Sequence, residues 1–227
     1  MTSTAPDLEE TAAAPAPQRG LRYVLITVIA VAALVVAGAL GWLIRGDSSG
    51  TKSAATPSVS SVDAGFARDM STHHIQAVTM AGYERDYTSD AKLKILAFDI
   101  ETSQNFQVGE MQGWLDTWGL SRNSTQPMAW MGHKMGVNDL MPGMATPAQM
   151  DKLESSHGTA LDILFLQLMI HHHQGGLPMA QYALANAEDQ YVRDLAQSMV
   201  NAQSAEIIQM EQMLRQLGGQ PLPPPAS

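Results

Sequence analysis

The sequence predicts an all-α protein: a four-helix bundle built from two duplicated helical hairpins, with an N-terminal transmembrane helix ahead of it. Two observations predict the bundle and a third predicts the anchor. The first is an internal repeat. The stretch Met169-Ile170-His171-His172-His173-Gln174-Gly175-Gly176-Leu177-Pro178-Met179-Ala180 matches Met70-Ser71-Thr72-His73-His74-Ile75-Gln76-Ala77-Val78-Thr79-Met80-Ala81 when slid by 99 positions. Met70 meets Met169, His73 and His74 meet His172 and His173, and Met80-Ala81 meets Met179-Ala180. The same offset aligns Tyr83 with Tyr182, Asp90 with Asp189, Leu96-Ala97 with Leu195-Ala196, Gln104 with Gln203, Met111 with Met210 and Leu115 with Leu214. A gapless offset sustained this far marks a duplication. The second observation is helical periodicity in the apolar positions, bounded by start and stop signals. The third is the uncharged run between Arg22 and Arg45, 22 residues long, enough to span a bilayer as a helix.

Composition narrows the function. The chain has 227 residues, 45% hydrophobic and 15% charged, with a formal net charge of -9. From Asp63 onward 9 Lys and Arg face 18 Asp and Glu. An acidic domain with no basic run does not suit nucleic acid, whose phosphates need clustered Lys and Arg. There is no cysteine, hence no disulfide, thiolate zinc site or Cys nucleophile. Methionine is the conspicuous bias: 15 in all, 14 of them from Met70 onward.

Taken in order, residues 1–20 are Ala, Pro, Thr and Glu with little to bury, and read as a disordered cytoplasmic tail. Residues 21–44 are the anchor, with Arg19 and Arg22 before it and Trp42 near its far end. The Ala37-Gly38-Ala39 triplet also allows a cleavable signal. Either way the bulk of the protein lies outside the cytoplasm, membrane-anchored or, if cleaved, secreted. Residues 45–61 are a flexible linker of small residues. The bundle domain follows over 62–217. Ser60-x-x-Asp63 opens its first helix, over 63–87. The second runs over 90–118 with Leu93, Leu96, Ile100, Val108, Met111 and Leu115 on one face, and Gly119 closes it. Residues 119–146 form a crossover rich in Met, Gly and Trp. Thr146-Pro147-Ala148-Gln149 starts a short helix with a cap, a proline and a capping glutamine. The third and fourth long helices run over 159–187 and 189–217. Pro178 is expected to kink the third just after the histidines. Residues 218–227, rich in Gly and Pro, read as a disordered tail.

Residues three, four and seven apart share a helix face. Each repeat therefore presents Met–His–His–Met along one stripe: Met70, His73, His74 and Met80, then Met169, His172, His173 and Met179. Imidazole with thioether is the ligand set that suits copper, Cu(I) above all, because thioether sulfur is soft. Single methionines such as Met111, Met199, Met210 and Met213 read as core fillers. Neighbouring buried imidazoles cannot all be protonated, and a metal resolves that conflict. Affinity is then expected to weaken as pH falls through roughly 6 to 7. A second methionine set, Met128, Met131, Met135, Met141 and Met144 with His133 among them, either captures Cu(I) or lids the bundle end.

The segments Phe66-Ala67-Arg68-Asp69-Met70-x-x-His73-His74-x-Gln76-Ala77-x-x-Met80-Ala81, Met141-Pro142-Gly143-Met144 and Asp162-x-x-Phe165-Leu166-x-x-Met169-Ile170-x-His172-His173 resemble the family called domain of unknown function 305, which includes the CopM-like proteins. The resemblance covers about residues 62–217. It implies a ferritin-like helical bundle, exported or membrane-anchored, with copper binding in some members and no assigned activity in most. Carried over position by position, it implies the same eight ligands. The functional expectation is an extracytoplasmic, membrane-tethered protein that sequesters copper or exchanges it with a donor or acceptor protein, rather than an enzyme. Two alternatives stand beside it: a surface-displayed helical interaction module without metal, and a di-iron oxidoreductase. Against the latter, Glu154-x-x-His157 is the only Glu-x-x-His, and it lies in the crossover rather than in a repeat.

Overall fold

The computed structural model describes residues 56–225. The expected tail over 1–20, the anchor over 21–44 and most of the linker lie outside them. Among the described residues there are five α-helices and no strand: α1 Val62–Tyr87, α2 Ala91–Thr117, α3 Pro147–Glu154, α4 Thr159–Asn186 and α5 Gln190–Gln216, with a single 3-10 turn at Ala129–Met131. No helix among them is long and apolar enough to cross a membrane.

The duplication governs the helix ends. Asp90 caps α2 by accepting from the Lys92 and Leu93 amides, and Asp189 caps α5 by accepting from Tyr191 N. Gly119 and Gly218, also 99 apart, take positive φ (66° and 76°) after α2 and α5. In each case the next amide returns to a helical carbonyl, Leu120 N to Leu115 O and Gly219 N to Leu214 O. This is the glycine-dependent helix stop. The capping box of Thr146 and Gln149 forms as expected. The start of α1 differs from expectation. Its cap is Ser61, whose side chain accepts from Ala64 N. Asp63 turns away instead, and accepts from the Glu188 and Asp189 amides in the α4–α5 turn. The carboxylate is more useful there, because those amides begin the next helix and have no carbonyl partner. α4 runs unbroken through Gly175, Gly176 and Pro178.

α1 packs on α2, α4 on α5, and the two hairpins meet through α1 and α4. The core falls into two apolar clusters. One holds Ala77, Met80 and Ala81 of α1 with Leu161, Phe165, Leu166 and Met169 of α4. The other holds Phe66, Ala67 and Met70 with Met179, Ala180 and Ala183. Early residues of α1 thus meet late residues of α4, so the two helices cross antiparallel. The histidines lie between the two clusters in sequence on both helices, which makes them a polar layer across the bundle.

The crossover is held at both ends. Asp69 Oδ2 accepts from Met128 N (2.6 Å) and Trp130 Nε1 (2.8 Å). Gly65 leaves room for the Trp130 ring, where a Cβ would come within 2.5 Å of ring atom Cδ1. Gln76 makes a two-way clamp, donating to Ala145 O (2.9 Å) and accepting from Ala145 N (2.7 Å). Residues 218–225, expected to be disordered, form no helix but lie against α4. Gln167 donates to Gln220 O, His171 Nδ1 donates to Pro223 O, and Leu222 packs on the first apolar cluster. Proline-rich backbone keeps its carbonyls free to accept, which is how α4 holds it.

Candidate metal centre

All eight expected ligands are buried. Met70, Met80, Met169, Met179, His73, His74 and His173 have no exposed surface, and His172 has 1%. Consecutive residues on a helix point about 100° apart, so the two histidines of each pair diverge. Ring centroids are 6.4 Å apart for His73 and His74, and 6.3 Å for His172 and His173. The pair that comes together is His73 with His172, one from each repeat, at 3.8 Å. His74 turns toward α2 and His173 toward α5. The thioethers divide, Met80 and Met169 in one cluster and Met70 and Met179 in the other. Among the described residues no group of three or more His, Asp or Glu is arranged to hold a metal ion.

Every ring is held by the same atom. His73 Nε2 bonds Pro142 O (3.0 Å), His74 Nε2 bonds Gln107 Oε1 (2.8 Å), His172 Nε2 bonds His73 O (2.9 Å) and His173 Nε2 bonds Glu206 Oε2 (2.7 Å). All four partners are oxygen acceptors, so each Nε2 carries the proton and donates. A neutral ring then has a bare lone pair on Nδ1. The Nδ1 atoms of His73, His74 and His173 are buried with no partner. Buried polar atoms without partners are uncommon and costly. Here three imidazole Nδ1 atoms are orphaned in one layer, and on His73 and His74, which burial keeps neutral, that atom carries a bare lone pair.

Burial also fixes the charge. Desolvation pushes His73 down to about 4 and His74 to about 3, with His73 adding repulsion at His74. His172 is lowered by the same cause, then by its imidazole neighbours. These rings are therefore neutral and able to coordinate well below pH 6. The expected titration between pH 6 and 7 is that of an exposed histidine, whereas His73, His74 and His172 are sealed from water and stay neutral through that window.

Two groups were missed in the sequence. Gln107 and Glu206 are the polar partners of His74 and His173, and they stand 99 positions apart. The signal for them in the sequence is that same offset, a polar residue at each matched position of the outer helices. The crossover methionines pack onto the second cluster, Met128 and Met141 buried and Met131, Met135 and Met144 partly so. Asp69, four residues before His73 on α1, is engaged by Met128 and Trp130, while His73 bonds Pro142 O.

The fold and layer define a class: an all-helical domain of two duplicated hairpins with paired histidines at their junction. Residues 63–214 match the family model described as "Domain of unknown function (DUF305)". The chain belongs to that family. It is similar to a crystal structure of a putative secreted DUF305 protein from Streptomyces coelicolor, at 44% identity and TM-score 0.69, covering 73% of this chain and 99% of that one. CopM in its Cu(I)-bound form is 27% identical with TM-score 0.52, covering 69% of this chain and 98% of that one. Its Cu(II)-bound form gives 29% and 0.54, with 69% and 97% covered. No curated protein sequence matches the chain.

Proposed function

We propose that this protein binds copper, as Cu(I), outside the cytoplasm, for sequestration or hand-over rather than catalysis. The observation that carries the reading is the set of buried imidazoles whose Nε2 atoms are all tied to oxygen acceptors, leaving Nδ1 lone pairs without partners. Tying the distal nitrogen of a ligand histidine to an oxygen fixes its tautomer and raises its basicity, the arrangement found around histidine metal sites generally. Thioethers from Met70, Met80, Met169 and Met179 flank the layer on both sides, and soft sulfur favours Cu(I) over hard cations. His73, His74, His172 and His173 would supply nitrogen, and the four methionines sulfur. These donors lie on both sides of the layer and exceed the coordination of one Cu(I), so each bound ion would use a subset of them, shielded from water by the two apolar clusters. The kinship with CopM, described in Cu(I)- and Cu(II)-bound forms, supports the same metal. Location outside the cytoplasm is supported by the relative described as secreted and by the apolar run over 21–44, which would tether the domain to the membrane.

The test is a competition titration of the full chain with Cu(I), beside a variant with His73, His74, His172 and His173 all changed to Ala. Tight binding by the parent and loss in the variant is the expected outcome. Equal binding by both would move the site to the Met128–Met144 crossover, and no binding by the parent would end the copper reading.

A further inference from the structure

The two outer helices share much of their core face and differ more where they face solvent. Leu96, Ala97, Gln104, Met111 and Leu115 of α2 match identical buried residues of α5. On the outer face α2 carries Ile95, Phe98 and Phe106, exposed by 62%, 52% and 74%. Spacings of three and eleven put them on one stripe. At the matched positions α5 has Asp194, Gln197 and Ala205. α5 has Ile208 exposed on the matched stripe, at the position matching Gly109, but no run of three, so the duplicated bundle does not require the longer apolar face that α2 carries. The stripe continues through Gly109 and Gly113. A Cβ built on either meets nothing within 4 Å, so packing inside the chain does not account for glycine at these helix-interior sites, where it is costly.

We propose that a second copy of this chain docks on this face, α2 against α2, antiparallel about a two-fold axis near residue 104. That register seats Ile95 and Phe98 of each copy over Gly113 and Gly109 of the other, and Phe106 beside Thr102. Bulk at one end of the stripe and glycine at the other is self-complementary under a two-fold, as a closed symmetric pair needs. The charges at the two ends of α2 agree with the same direction, against one like-charge approach of Asp99 to Glu110 of the other copy. Lys92 and Lys94 lie at the start of α2, and Glu110 and Asp116 toward its end. Antiparallel docking sets the lysines of one copy near the carboxylates of the other, and parallel docking sets like against like. The stripe from Ile95 to Gly113 is about 27 Å long. A contact between single helices of this length sits at the small end of interfaces, so association is concentration-dependent.

The chain has no cysteine, so one introduced cysteine reports cleanly. Thr102→Cys lies on the stripe, and Asn201→Cys is its exposed counterpart on α5. Each full-length protein, in detergent micelles, is treated with a short bismaleimide. Association through any other part of the chain raises both yields alike. The expected result is about tenfold more crosslinked dimer from Thr102→Cys than from Asn201→Cys, with Phe98→Glu removing the excess while the far-UV spectrum stays unchanged. Equal yields from the two cysteines overturn the proposal, as does an excess that survives Phe98→Glu. Protection of the cysteine at position 102 by phospholipid vesicles, without dimer, also overturns it and assigns the face to a membrane surface.

Discussion

Gly175 is where the crossover touches the histidine layer most closely, and Gly175→Ala tests how that layer is held. The added Cβ would lie 2.5 Å from Gly143 N and closer still to the Pro142 carbonyl group. All are backbone atoms, so no side chain can turn aside. The loop must withdraw, and Pro142 O withdraws from His73 Nε2, its partner at 3.0 Å. His73 is fully buried, so water does not replace the lost acceptor. An orphaned buried donor costs about 1–3 kcal/mol, and overpacking costs a similar amount, about 1–3 kcal/mol. Alanine returns about 1 kcal/mol in helix propensity. The net is a loss of about 3 kcal/mol, or roughly 6–12 °C in Tm for a domain of this size. Thermal melting of the metal-free full chain by circular dichroism measures it. Gly176→Ala is the control. Its Cβ meets side-chain atoms, Gln203 Oε1 and His73 Cε1 at 3.1 Å, which can give way, and the first repeat already has Ala77 at the matched position. A Gly175→Ala protein melting within about 2 °C of the parent would refute the claim that loop backbone presses on α4 there.

Three further outcomes follow from the buried titrating groups. His73 and His74 are lowered to about 4 and about 3, so between about pH 6.5 and 4 the unfolded chain binds protons that the folded chain refuses. In a Glu84→Gln background, which removes a buried carboxyl of opposing effect, metal-free stability therefore falls as pH falls through that window, and denaturant midpoints that stay flat across it would contradict neutral buried rings. Glu84 is pushed the other way, up to about 8, by desolvation first and then by Asp162. Unfolded Glu84 ionises at lower pH than folded Glu84, so this residue costs stability increasingly as pH rises from about 4.5 to 8. Glu84→Gln should then stabilise the protein at pH 8 and make little difference at pH 4, the opposite ranking counting against a protonated Glu84. Finally, Glu206→Gln replaces the carboxylate behind His173 with the amide that the first repeat uses behind His74. If His173 is a ligand, Cu(I) affinity falls by about 10–100-fold while Gln107→Glu raises it, and two variants indistinguishable from the parent in competition titrations would remove His74 and His173 from the site.

The helices were legible because local signals and the duplication agreed. Asp90 and Asp189, Gly119 and Gly218, and the Thr146–Gln149 box each specify a terminus chemically, and the observed ends fall within about two residues of those expected. The packing of one hairpin on the other was legible too, since one hairpin cannot cover its own apolar face, but not that α1 and α4 are the helices that meet. The interior of the layer was less so. Spacing puts Met70, His73, His74 and Met80 on one side of a helix, but ten residues of helix span about 15 Å. The thioethers at the two ends of the motif therefore enter different clusters. Sequence could not reveal that Asp63 caps the distant α4–α5 turn rather than its own helix, because that depends on how the hairpins cross. Nor could it reveal that residues 218–225 lie on α4, since Pro and Gly specify the absence of a helix and not the absence of contacts.

On the two inner helices, one difference between the repeats falls where the crossover lands. Positions 76 and 175 are equivalent, yet Gln76 reaches out to clamp Ala145 and Gly175 recedes to admit Pro142 and Gly143. The histidines respond. His172 Nε2 donates to His73 O, and symmetry would have His73 donate to His172 O. Gly143 lies against that carbonyl instead, with a Cβ there 2.9 Å from it, and His73 donates to Pro142 O. The loop has inserted itself into one of two equivalent hydrogen bonds. One side of the layer is therefore closed by its own helices and the other by the crossover. Because a single connector can cover only one side of a pseudo-symmetric bundle, opening the layer at least cost means lifting residues 141–144. Gly175→Ala, which pushes them outward, should then speed Cu(I) capture by the full chain in stopped-flow competition even as it lowers stability. An unchanged capture rate in a demonstrably destabilised variant would place the entrance elsewhere.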